Sequence, residues 1–261
     1  HRESLAMKRR LYGAAHPEIA TSLNNLAYTR ELGGDDEEAG QYYVEALDMN
    51  RRLLGNEHPE IALNLSNLAF VLYRKGLREA AVDMLRDALE MRRRTLGPDH
   101  PDVAASGTSL AYWLTDAARY DEAGRLIEES LAIRENALGR EHPQFAGTLT
   151  VQANLLLATR RYEEARTLAA EASRILRLSL PVDSWQVAAA LNTEGAALTK
   201  LGDFARAEPL LLGSLPGLEG SPIPGLPARG HQRLHDLYMA SGRPDLAARY
   251  SDPARTPGSG P

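Results

Sequence analysis

The chain has 261 residues, 43% of them hydrophobic, with 30 Lys and Arg against 35 Asp and Glu. A formal charge of −5 excludes a phosphate-binding surface over the whole protein, because non-specific nucleic-acid binding rests on a basic excess. The lack of cysteine excludes a disulfide framework and thiolate chemistry and fits a reducing, cytoplasmic compartment. No apolar run approaches the roughly 18 residues of a membrane span, and no charged-then-apolar leader opens the chain, so neither nucleic acid nor a membrane is expected as a partner.

In chain order, residues 1–13 read as the second helix of a repeat whose first half lies upstream, since Leu5 stands in one column with Leu47, Leu89 and Leu131. A start at His1 fits a fragment cut from within an array. Gly13-Ala14-Ala15-His16-Pro17 then opens a frame, Gly-x-x-His-Pro, that returns at Gly55, Gly97 and Gly139, each copy 42 residues after the last. A fixed period of that size is the signature of a solenoid. Each frame reads as a junction, with Gly ending one helix at positive φ and Pro opening the next. The repeats are therefore 14–55, 56–97, 98–139 and 140–181. Residues 182–216 form a degenerate fifth repeat, with Ser184-Trp185 where His-Pro stood. Residues 217–226 read as a Pro/Gly loop, 227–251 as a worn capping helix pair, and 252–261 as a disordered tail.

Aligned by the period, small residues fall into columns: Ala27, Ala69, Ala111, Ala153 and Gly195 in the first helix, Ala39, Ala81, Ala123, Ala165 and Ala207 in the second. Small side chains at both places let two helices approach closely, and stacked neighbours must bury what one hairpin cannot. The fold class is all-α, a solenoid of antiparallel helix pairs. The wording Leu23-Asn24-Asn25-Leu26-Ala27, Tyr120-Asp121-Glu122-Ala123, Ala88-Leu89-Glu90-Met91-Arg92 and Leu96-Gly97-Pro98-Asp99-His100-Pro101 resembles the tetratricopeptide repeat, in its 42-residue kinesin light chain form, over residues 1–216. That resemblance implies a right-handed superhelix that binds proteins.

Little in the sequence points to catalysis, and no cofactor or metal is expected. His16, His58, His100 and His142 stand one repeat apart, too far to converge on one metal ion, and are expected at helix caps. No His-Glu-x-x-His and no Walker-type glycine loop occurs. Arg51-Arg52, Arg92-Arg93-Arg94, Arg134 and Arg177, near the ends of second helices, are expected on a solvated face where cations complement the helix dipole. Trp113 and Trp185 are expected to pack between helices.

The resemblance implies that first helices line the concave surface. Their stripe at helical spacing holds Asn24, Asn25 and Tyr28, then Ser66, Asn67, Phe70, Tyr73 and Arg74, then Thr108, Tyr112 and Thr115, then Asn154. Asn pairs with a peptide amide and carbonyl whatever the peptide's side chains, and Tyr and Phe offer apolar area at small entropic loss. Asn25 and Asn67 match the position at which tetratricopeptide domains commonly hold a peptide main chain. The column of Asn24, Ser66 and Thr108 lacks the Lys or Arg of arrays that clamp a C-terminal carboxylate. The expected function is a protein interaction module or scaffold with a protein or peptide partner, leaving room for self-association. The alternative is a structural spacer, or a regulatory segment of a larger bacterial signalling protein carrying a kinase or NTPase.

Overall fold

A computed structural model describes residues 2–223 and 225–251; the expected tail at 252–261 lies outside them. The elements are α1 (Arg2–Tyr12), α2 (Pro17–Leu32), α3 (Asp36–Leu54), α4 (Pro59–Arg74), α5 (Arg78–Leu96), α6 (Pro101–Asp116), α7 (Tyr120–Leu138), α8 (Pro143–Ala158), α9 (Tyr162–Leu176), α10 (Trp185–Leu201), α11 (Phe204–Glu219), α12 (Leu226–Ala240) and α13 (Pro244–Ala247), closed by a 3-10 turn at Ala248–Tyr250. Among the described residues there is no strand. The chain is an all-α repeat solenoid in which α2 packs on α3, α4 on α5, α8 on α9 and α10 on α11. It divides into two compact units, residues 1–110 and 111–261.

The histidines start the helices. Each Nδ1 accepts the backbone N–H two residues on: Glu18 on His16 at 3.2 Å, Glu60 on His58 at 3.1 Å, Asp102 on His100 at 3.1 Å and Gln144 on His142 at 3.2 Å. The proline that follows takes the first turn, where its missing N–H is harmless. Among the described residues no three His, Asp or Glu side chains are grouped as a metal site would need. Within each hairpin the turn has its own column, Gly34, Gly76, Ala118, Arg160 and Gly202, every member at positive φ. Ala118 at 58° and Arg160 at 63° adopt there a conformation that strains a residue with a Cβ.

Both small-residue columns are buried. A Cβ built on Gly195 would stand 2.7 Å from Leu211 Cγ, so the glycine follows from the bulk opposite it. In the first unit Tyr43, Leu47, Ile61, Leu65, Leu68 and Val71 close over Ala27, Ala39 and Ala88. In the second, Phe145, Leu149, Ile175, Leu176 and Val187 form one core, and Leu198, Leu211, Leu234 and Leu237 another. Trp113 is buried, and Trp185 packs against Ala188, Ala189, Leu218 and Leu226.

Two expectations are corrected. Helix α11 runs on to Glu219 through Pro209 and Pro216, and α12 begins at Leu226, so both helices take residues from the expected Pro/Gly loop. The carbonyls that those prolines cannot serve belong to Ala205 and Leu212, both exposed residues. The second concerns arginine. Arg92 and Arg134 are only 8% and 6% exposed, because helical phase continues the buried stripe of Ala81, Leu85 and Ala88, and of Ala123, Ile127 and Ser130, onto them. Each guanidinium donates from Nη1 to a hydroxyl 14 residues on, Arg92 to Ser106 and Arg134 to Thr148, and Arg134 also to the Gln144 carbonyl at 2.7 Å. Asn50 does the same with Asn64 at 2.8 Å. These bonds tie a second helix to the first helix of the next repeat. At the same 14-residue spacing, Leu176 and Ala190 share one apolar cluster. Arg93 and Arg94 do lie at the surface, paired with Glu90 and Glu57.

Candidate functional site

In the unit of residues 1–110, the first helices divide their polar stripe between folding and idleness. Asn24 accepts from Asn64 Nδ2 at 2.7 Å, so its amide is part of the internal Asn50–Asn64 chain. Ser66 is buried and donates to the Ala62 carbonyl, and Thr108 donates to that of Ala104. Tyr73 is buried beneath the Arg78 guanidinium, and Arg74 is paired with Asp36 at 2.9 Å. Burial raises the Glu31 carboxyl pKa, opposed by the Tyr43 hydroxyl that donates to it at 3.0 Å. Asn25 and Tyr28 are exposed, Tyr28 at 50%, and Asn67 and Phe70 are half-buried. The side-chain amides of Asn25 and Asn67 bond to no described residue.

In the unit of residues 111–261, a pocket of about 260 Å³ is lined only by first helices and their terminal counterpart: Thr115 and Asp116 of α6, Asn154, Leu157 and Ala158 of α8, Ala196, Thr199 and Lys200 of α10, and Arg229, Arg233 and Asp236 of α12. It thus brings together Thr115 and Asn154 of the expected stripe. Thr115 donates to the Ala111 carbonyl, and Asn154 donates to that of Thr150 while its Oδ1 accepts from Arg233 Nη2 at 2.6 Å. Beside them Arg229 forms an ion pair with Asp116 at 2.6 Å and lies 4.8 Å from the Tyr112 ring centroid. The Tyr112 hydroxyl is buried with no hydrogen-bond partner among the described residues, and burial raises its pKa. Burial, and then the nearby Arg229 charge, lowers the pKa of the Arg233 guanidinium.

Lys200, Arg229, Arg233, Asn192 and Thr193 were not among the expected residues. Lys200 falls in the column of Leu32, Arg74, Asp116 and Ala158, so the 42-residue period alone identifies it. Arg229 and Arg233 lie on the worn terminal pair, where no column marks them.

Repetition of one helix pair, capped by His-Pro and seamed by alanine, defines a helical-repeat protein. Models of the tetratricopeptide repeat match residues 1–52, 65–102 and 103–144, and the chain belongs to the tetratricopeptide repeat family. Repeats of this family typically form non-catalytic scaffolds that mediate protein–protein interaction. Solved structures with a similar fold include a kinesin light chain-type protein of Podosopora anserina with nearly identical TPR-like repeats, at 24% identity and TM-score 0.61 over 77% of this chain and 95% of that one. BtubC from P. vanneervenii is similar at 22% identity and TM-score 0.67, over 82% and 86%. A Rap protein complexed with competence and sporulation factor is similar at 15% identity and TM-score 0.68, over 94% of this chain and 66% of that one. No curated protein matches the sequence. Among the described residues no helix is long and apolar enough to cross a membrane.

Proposed function

We propose that the chain is a non-catalytic interaction module that holds an extended segment of a protein partner against its first helices. The observation that supports this reading most is the idle amides of Asn25 and Asn67, flanked one turn on by Tyr28 and Phe70. An amide with both its donor and its acceptor free matches the backbone of an extended peptide, and the aromatic beside it covers a side chain. In the second unit, the pocket between α6, α8, α10 and α12 would take an anchoring side chain of a bound segment. A Rap protein of similar fold has been solved in complex with competence and sporulation factor. The lack of cysteine suits work in a reducing compartment such as the cytoplasm.

The test is selection from a displayed peptide library on the whole chain, beside a variant carrying Asn25→Ala, Asn67→Ala and Phe70→Ala. Enrichment of one motif that the variant loses, at unchanged helicity, is the expected result. Enrichment indifferent to the substitutions refutes the reading. An empty selection favours the spacer role instead.

A further inference from the structure

In the unit of residues 111–261, the last first-type helix reaches across the face that its neighbours would present to a partner. Helix α12 packs on α10 and α11, and two of its arginines, one turn apart, extend over α6, α8 and α10. Arg229 donates from Nη2 to Asp116 Oδ1 at 2.8 Å and Oδ2 at 2.6 Å, 113 residues away in sequence, and its guanidinium lies 4.8 Å from the Tyr112 ring centroid. Arg233 donates to Asn154 Oδ1 at 2.6 Å, Asn192 Oδ1 at 2.9 Å and Thr193 Oγ1 at 3.2 Å. Tyr112 and Asn154, both expected to meet a partner, are thus engaged from within the chain.

The first unit shows what this closure hides. Tyr28 stands in the column of Tyr112, two repeats earlier, and is 50% exposed. The Tyr112 hydroxyl is instead buried, with no hydrogen-bond partner among the described residues. A buried hydroxyl left unpaired costs free energy, so the closed arrangement does not serve this side chain best.

The closure is also lightly held. The Arg229 and Asp116 side chains keep 26% and 21% of their exposure, so water competes for their ion pair. Arg229 and Arg233 are like charges four residues apart on one helix, which disfavours their shared position. Lys200 adds a third cation to the lining, against the carboxylates of Asp116 and of Asp236, which accepts from Gln232 and has His235 beside it. Rotation of the Arg229 side chain alone uncovers the Tyr112 ring, while Leu234 and Leu237 keep α12 in the core.

We propose that Arg229 is an autoinhibitory latch: paired with Asp116 and laid over Tyr112, it shields the partner-facing residues of the second unit until a bound segment displaces it. The inference rests on the peptide-binding proposal and adds its regulation. A latch closed most of the time weakens apparent affinity by the fraction of molecules that are open, without abolishing binding.

The whole chain is compared with Arg229→Gln and Asp116→Asn, each checked for unchanged helicity by circular dichroism. Nitration by tetranitromethane, mapped by mass spectrometry, reads the exposure of Tyr112, with Tyr28 as the accessible reference. Tyr112 is expected to be spared in the wild type and nitrated in both variants. Peptides selected from a displayed random library on Arg229→Gln are expected to protect Tyr112 there and to bind the wild type about threefold to tenfold more weakly. Tyr112 nitrated in the wild type, Tyr112 spared in both variants, or equal affinity for wild type and variant overturns the inference. Peptides that bind yet leave Tyr112 reactive also overturn it, and the peptide-binding proposal stands. Tyr112 unmasked in both variants with an empty selection does the reverse.

Discussion

Replacing Arg134 by Leu together with Thr148 by Ala copies into one repeat junction the apolar pair, Leu176 and Ala190, that the chain already uses at the next. Arg134 is 6% exposed, and burial holds its pKa down at about 10, below the ordinary guanidinium range. That depression corresponds to a penalty on the order of 3 kcal/mol against the charged form. Its Nε is also buried without a partner, worth a further ~1 kcal/mol or more. Against this stand two charge-assisted hydrogen bonds, to Thr148 and to the Gln144 carbonyl, of about 1.5 kcal/mol each. The double variant is thus expected to be neutral to about 3 kcal/mol more stable at pH 7, as when buried ion sites are replaced by packed apolar groups. Arg134→Ala alone, which leaves a void, is expected to be destabilising. Urea unfolding followed by circular dichroism measures all three proteins. The sign with pH is a second check. A base whose folded pKa is depressed bears its full penalty below that pKa and loses it as pH rises from about 10 towards the ordinary guanidinium range. The advantage of the double variant should therefore shrink across that window. A double variant less stable than wild type by more than about 1 kcal/mol at pH 7, or an advantage that grows with alkali, refutes the reasoning.

Ala118→Gly and Arg160→Gly relieve positive φ values of 58° and 63°, and each is expected to raise stability by about 0.5–1 kcal/mol in thermal melts. Gly217→Ala puts a Cβ 2.8 Å from the Asp183 carbonyl oxygen and 2.6 Å from Ala188 Cβ, and should cost about 2–3 kcal/mol by urea unfolding. Gly213→Ala in the same helix meets nothing within 4 Å and should be neutral or slightly stabilising. His58→Ala deprives the Glu60 amide of its acceptor at 3.1 Å; a loss of about 1 kcal/mol, with faster hydrogen exchange at that amide and recovery in His58→Asn, is expected.

The junctions were legible because each rests on local chemistry. Gly55, Gly97 and Gly139 end helices at φ between 81° and 91°, His and Pro begin the next, and the alanine columns report how closely two helices approach. Those constraints act within one hairpin, so the sequence repeats them. The buried arginines were misread because position near a helix end and position around the helix point to different surroundings. Arg94 follows the first, as a surface partner of Glu57, and Arg92 the second, in the seam to the next repeat. Asn24 and Asn25 are neighbours in the same apparent stripe, yet one joins a chain of internal amides and the other is exposed. A step of about 100° around the helix separates them. The charged half of the pocket depends on Arg229 and Arg233, which lie in the last helix pair, where the repeat pattern has decayed.

The central claim, that the first helices hold the partner, is tested most directly by photo-crosslinking. A display-selected peptide carrying a benzophenone side chain is irradiated with the whole chain, and the attachment sites are mapped by mass spectrometry. Adducts are expected on α2, α4, α6, α8, α10 and α12, concentrated near Asn25, Tyr28, Asn67, Phe70 and Asn154. Adducts confined to the second helices α3, α5, α7, α9 and α11 would contradict the account.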